Sequence, residues 1–125
     1  MKETHLNLTT PLCALAVDDN AWNTVPIPGL LWMFQQMLLI RAFEQNLLAL
    51  KEKNLINGPV HASVGQEAVA VGAAMAVRRQ DKFCGTHRAN HQYLAKAFCA
   101  CTPENYDPTR DGLTEAMHRH CLQPF

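Results

Sequence analysis

Two histidine-bearing loops, each just ahead of a helix-forming run, carry most of the chemistry this chain can offer. The first reads Gly58-Pro59-Val60-His61-Ala62-Ser63-Val64-Gly65-Gln66-Glu67, the second Thr86-His87-Arg88-Ala89-Asn90-His91. Arg88 is the leading candidate. A guanidinium offers forked donors that match phosphate oxygens, and it stays charged at any useful pH. It precedes a predicted helix start, where free backbone N–H groups also favour an anion. His87 beside it can donate to the same phosphate or orient a substrate carboxylate. His61 can serve as acid, base or donor to a bound oxyanion. The layout suits a phosphorylated cofactor. Plainer readings stand beside it: a salt-bridged surface arginine, solvated loop histidines, and glycines at 58 and 65 that only supply turns. For Gln66 and Glu67 the structural reading is preferred, since capping and the helix dipole account for both.

Cys99-x-Cys101 with His118-x-His120-Cys121 has zinc-binding side chains, but its spacings miss the common patterns. A small zinc module is therefore a minor reading, and no metal ligand is assigned. Walker, GxSxG, HExxH and GxGxxG motifs do not occur, so NTPase, hydrolase and simple dinucleotide-binding readings lack support.

The chain has 125 residues, with 11 basic and 11 acidic side chains. Zero formal charge gives no broad field for nucleic acid or an anionic membrane, so neither is an expected partner and phosphate recognition must be local. Five cysteines, an odd number without CxxC spacing, argue against a disulfide framework and for a reducing compartment, the cytoplasm by default. The N-terminus lacks a secretory pattern, and Glu3, Asp18 and Asp19 argue against a transit peptide. The apolar run near Leu30 to Leu50 is interrupted by Gln35, Gln36, Arg41, Glu44, Gln45 and Asn46, which a membrane span would exclude.

The elements that must position these residues follow from periodicity and breakers. Residues 1–29 read as an extended lead-in, with Thr9-Thr10-Pro11 as turn or coil. A helix is predicted from Leu30 to Lys53, apolar enough to be buried on more than one side, with Arg41 and Glu44 spaced to pair. Asn54 to Gly58 ends it. A second helix begins near Ser63, where Ser63 and Gln66 have capping-box spacing. Its Ala-rich profile and Gly72 predict close approach by another backbone, and Arg78-Arg79 suit its C-terminal end. A short strand is predicted around Lys82-Phe83-Cys84. Helices are predicted for Asn90 to Ala100 and Leu113 to His120. The fold class expected is mostly α, the opening helical layer of an α/β domain whose parallel strands lie elsewhere.

Ile40-Arg41-Ala42-Phe43-Glu44, Gly58, His61, Gly65-Gln66-Glu67-Ala68-Val69-Ala70-Val71-Gly72, Asp81, His87-Arg88 and Leu94-Ala95-Lys96 resemble one family in order and separation. It is the alpha subunits of thiamine-diphosphate-dependent 2-oxo acid dehydrogenases, of pyruvate, branched-chain and acetoin types. The resemblance covers about residues 30–98. It implies the N-terminal helical portion of an α/β thiamine-diphosphate-binding fold. It also implies thiamine diphosphate held between alpha and beta subunits of a heterotetramer, oxidative decarboxylation of a 2-oxo acid, and acyl transfer to the lipoyl arm of an acyltransferase. His87 and Arg88 would contact the diphosphate, His91 would be a further cofactor contact, and His61 would be the catalytic residue at the substrate end.

Asn90 stands where relatives commonly carry histidine, with His91 one position later. Ala97-Phe98 follows Leu-Ala-Lys where relatives often have glycine. The magnesium-holding Gly-Asp-Gly to Asn-Asn segment does not occur in the sequence, and the cofactor's activating glutamate belongs to the beta subunit. The expected organisation is a lead-in (1–29), the N-terminal part of the family domain (30–98) and a poorly matching, truncated tail (99–125). Such a portion is expected to be inactive by itself and to expose apolar helix surface. The alternative is a short, non-catalytic helical association protein derived from the family.

Overall fold

A computed structural model describes residues 2–5 and 13–122. The chain divides into two compact units, residues 1–30 and 31–125.

In the first unit, β1 (Lys2–His5) and β2 (Cys13–Ala16) pair antiparallel, from Lys2 opposite Ala16 to His5 opposite Cys13. The extended reading of this stretch had no pairing in it, because its polar and apolar residues follow no period of two. The predicted turn at Thr9-Thr10-Pro11 lies outside the described residues. A 3-10 turn follows over Asp19–Thr24.

Helix α1 runs from Ile27 to Glu52 and starts earlier than expected. Pro28 falls in its first turn, where a missing N–H costs nothing, and the Pro26 carbonyl accepts from the N–H groups of Gly29 and Leu30. The prolines therefore open the helix rather than interrupt it. At the other end Asn54 adopts a left-handed φ of 57°. Leu55 N donates to Leu50 O and Asn54 N to Lys51 O, the paired bonds of a Schellman stop.

The remaining helices are α2 (Glu67–Ala76), α3 (Asn90–Cys101) and α4 (Glu115–Leu122). Thr114 caps α4 by accepting from Met117 N at 3.2 Å. The thin helix α2 packs on α3, and α3 on α4. Ile40, Val71, Ala74, Leu94, Phe98 and Met117 form the centre of the core, all fully buried. Trp32 Nε1 donates to Thr102 Oγ1 and Tyr106 O–H to Gln35 Oε1, which fasten α1 to the segment after α3. The mostly helical expectation holds for the second unit.

Four expectations need correction. Helix α1 buries a single stripe, Trp32, Gln36, Ile40, Glu44 and Leu47, and leaves Leu31, Phe34, Leu38 and Leu48 exposed. Lys82-Phe83-Cys84 forms no strand and pairs with none among the described residues. Gly72 has open space where a Cβ would stand, so no described backbone approaches it. Arg79 does not serve the end of α2: its guanidinium donates to the Ala100 carbonyl at the end of α3, and Arg78 pairs with Asp81. Among the described residues no helix is long and apolar enough to cross a membrane.

Candidate functional site

The loop between α1 and α2 is shaped by two glutamates. Glu67, the first residue of α2, turns its carboxylate back to accept from Gly65 N at 3.0 and 3.1 Å. Gly65 can present that N–H because it sits at a φ of 96°, a conformation that L side chains rarely adopt. Arg41 of α1 closes a two-pronged ion pair on the same carboxylate, Nε at 2.6 Å and Nη2 at 2.9 Å. Arg41 first, then the Gly65 N–H, hold the Glu67 carboxyl down to about 2 against the opposing effect of burial. The structural reading of Glu67 is thereby supported by a partner that sequence spacing did not indicate.

Glu44, one turn further along α1, is fully buried and accepts from Ser63 N at 3.1 Å. Burial pushes its carboxyl up, and the Ser63 bond and the neighbouring His91 oppose that. Arg41 and Glu44 therefore do not pair with each other; each reaches its own point on the loop. The Ser63–Gln66 capping box does not form either. The Ser63 hydroxyl instead donates to the backbone carbonyl of Arg88 at 2.8 Å, and the N-terminus of α2 has no side-chain cap.

That last bond joins the two histidine loops. The Thr86 hydroxyl accepts from Arg88 N at 3.2 Å and tightens the second turn. The outcome is a meeting of His61 and His87, with ring centroids 4.7 Å apart and planes at 78°. Both side chains are exposed, as is Arg88, whose guanidinium makes no ion pair among the described residues. His91 lies differently. It is 4% exposed, and its Nδ1 has no partner among the described residues. The buried Oε1 of Glu44 is also without one.

Glu44, Ser63 and Gly85 are the residues that sequence reasoning missed at this site. The Arg41-to-Glu44 spacing carried a signal but pointed to the wrong partner. Gly85 gave none: a Cβ there would stand 2.5 Å from Ala89 Cβ and 2.6 Å from Gln92 Oε1. A separate cavity of about 380 Å³ is lined by Arg79, Phe83, Tyr93, Lys96, Ala97 and His120, among others. Lys96 Nζ lies 5.6 Å from the centre of the Phe83 ring and donates to the Arg78 carbonyl.

Three of the side chains considered for zinc make other contacts. Cys99 Sγ donates to Ala74 O, Cys101 Sγ to Phe98 O, and His120 Nδ1 meets the Tyr93 hydroxyl at 2.9 Å. Among the described residues no three His, Cys, Asp or Glu side chains gather to hold a metal.

Two exposed imidazoles in edge-to-face contact are followed in sequence by an exposed guanidinium with no ion pair among the described residues. Such a set fits the clustered oxygens of a diphosphate. The third imidazole, His91, is buried in the first turn of α3, just after the turn that carries His87.

Residues 35–106 match the family described as the dehydrogenase E1 component. The alpha subunit of the acetoin:2,6-dichlorophenolindophenol oxidoreductase of Bacillus subtilis is 41% identical over 66 residues, 53% of this chain and 20% of that protein. The mitochondrial pyruvate dehydrogenase E1 component subunit alpha of Kluyveromyces lactis is 38% identical over 62 residues, 50% of this chain and 15% of that protein. Subunit alpha-1 of the mitochondrial pyruvate dehydrogenase E1 component of Oryza sativa is 33% identical over 92 residues, 73% of this chain and 24% of that protein. The aligned stretches thus span less than a quarter of each relative. No solved structure matches the chain.

Proposed function

The chain belongs to the dehydrogenase E1 component family, and from that premise we propose that it is part of the alpha subunit of a thiamine-diphosphate-dependent 2-oxo acid dehydrogenase. The observation that supports this most directly is the meeting of His61 and His87, 26 positions apart in sequence, with Arg88 next to His87 in the chain and without an ion pair among the described residues.

In this reading Arg88 and His87 hold the diphosphate. Arg88 supplies a pH-independent charge and forked donors, and His87 a single directed donor. His91 is the third cofactor contact of this reading, which requires its buried imidazole to become accessible when the cofactor binds. His61 is the catalytic residue. Its ring lies against His87 and is open to solvent, so it can hold or move a proton at a substrate oxygen next to the diphosphate. Thiamine diphosphate, when bound, supplies the carbanion stabilisation that decarboxylation of a 2-oxo acid requires.

Turnover belongs to an assembly rather than to this chain by itself. The beta subunit completes the site, and a lipoyl-bearing acyltransferase receives the acyl group. Free thiols at Cys84, Cys99, Cys101 and Cys121 are compatible with the cytoplasm as its compartment.

The test is titration of thiamine diphosphate into the chain with the beta subunit present. Tight binding that Arg88→Ala weakens about 10-fold or more, the loss of one charge-assisted pair, is the expected result. Equal binding by the two forms would overturn the assignment of Arg88. A second reading, a non-catalytic association protein, is favoured by the exposed Phe34, Leu38 and Val69. It predicts beta-subunit binding without any cofactor affinity.

A further inference from the structure

We infer that Ser63, held from beneath by Glu44, is a positioning residue that sets the His61 loop against the His87–Arg88 turn. This inference rests on the anion-site reading for its meaning, but its geometry stands apart from it. Ser63 is 1% exposed and lies at the junction of three segments distant in sequence. Its N–H donates to the Glu44 carboxylate on α1, 19 positions away, and its hydroxyl to the Arg88 carbonyl, 25 positions away. One side chain and one amide thus tie a rigid helix to the first histidine loop, and that loop to the second.

The anchor is unusual. Glu44 is fully buried, yet only Oε2 is engaged; Oε1 and the nearby His91 Nδ1 have no partner among the described residues. A buried polar atom without a partner is destabilising, so a carboxylate at a core position is a poor choice for packing alone. An apolar residue there would fill the same stripe of α1 and would leave the Ser63 N–H without an acceptor. What the carboxylate provides is a fixed acceptor two residues from His61. Ser63 touches no proposed ligand. It acts through the distance between the two imidazoles and through the path of the backbone at Arg88.

The experiment uses the full chain labelled at histidine. Nuclear Overhauser contacts between the His61 and His87 rings report the loop geometry, and inorganic pyrophosphate serves as the anion probe. Ser63→Ala removes the hydroxyl. Ser63→Thr and Ser63→Val form a matched pair of nearly equal volume, with and without it, so a packing defect affects both alike. The expected result is loss of the inter-ring contact and about 10-fold weaker pyrophosphate binding in the Ala and Val forms, the effect of one net hydrogen bond. The Thr form retains both properties. If Thr and Val behave alike, or if the Ala form keeps the ring contact, the inference is overturned. If the Ala and Val forms lose the contact while the unaltered chain binds no pyrophosphate, the positioning role stands and the anion-site reading fails.

Discussion

Glu67 is the residue on which the loop geometry most depends, because one carboxylate serves both a backbone N–H and a guanidinium. Glu67→Ala leaves Gly65 N and Arg41 without their acceptor. Arg41 is 42% exposed, so water compensates for part of its loss. The expected destabilisation is on the order of 2 kcal/mol, read from chemical denaturation. The pH dependence has a definite sign. Its carboxyl lies at about 2 in the folded chain against an ordinary 4.5, so folding favours the ionised form. The stabilisation is complete above about 4.5 and is lost as pH falls toward 2. Glu67→Gln should flatten the denaturation midpoint across that window; an unchanged slope would remove the ion pair as its cause.

Glu44 works in the opposite direction. Burial raises its carboxyl above 4.5, with the Ser63 bond, His91 and Glu67 as smaller influences. Folding therefore favours the protonated acid, and the benefit is lost as pH rises through the raised value. Glu44→Gln keeps an acceptor for Ser63 N and removes the ionisation. Its stability should match or exceed that of the unaltered chain at neutral pH, and the advantage should shrink at acid pH. A Gln form that is less stable at neutral pH would mean that the charge itself is needed there.

At the scale of elements, the turn that carries His87 and Arg88 is set by close packing at its start. Gly85 faces Ala89 and Gln92 across a gap that no side chain can enter. Ala89 cannot retreat, since its carbonyl accepts from Tyr93 N as α3 begins. Gly85→Ala is expected to cost about 1–3 kcal/mol, the usual range for overpacking. It should also move the His87 and Arg88 resonances. A thermal midpoint within a degree of the original would show that the loop yields freely.

The same stretch shows what the sequence could and could not convey. Helices α1, α2 and α3 were legible from apolar spacing, small-residue runs and the Asn90 start, because those signals are local. The joining of His61 to His87 was not, because it depends on a serine hydroxyl that reaches 25 residues onward. The failure of the Ser63–Gln66 box has the same origin: tertiary partners on α1 and in the turn before α3 outcompeted a local one. Asn54, rather than a glycine, stops α1, since asparagine tolerates the left-handed conformation the stop requires.

At the scale of the molecule, the helices present more apolar surface than one core uses. On α1, Phe34 is 58% and Leu38 54% exposed, and on α2 Val69 is 72% exposed. These residues sit among others that are buried at helical spacing on the same elements, so the exposure reflects faces without a cover and not poor helix formation. Isolated exposed leucines are ordinary in monomers, but an apolar row along a helix marks a surface for association. The chain is therefore expected to bind an environment-sensitive dye and to self-associate as its concentration rises, which sedimentation can follow. Phe34→Glu with Leu38→Glu should reduce both effects while leaving the denaturation midpoint nearly unchanged, because neither side chain contributes to the core. Loss of stability in that double variant would mean that the two residues pack within the chain. Persistence of self-association would transfer the surface to α2, where Val69→Glu provides the next test.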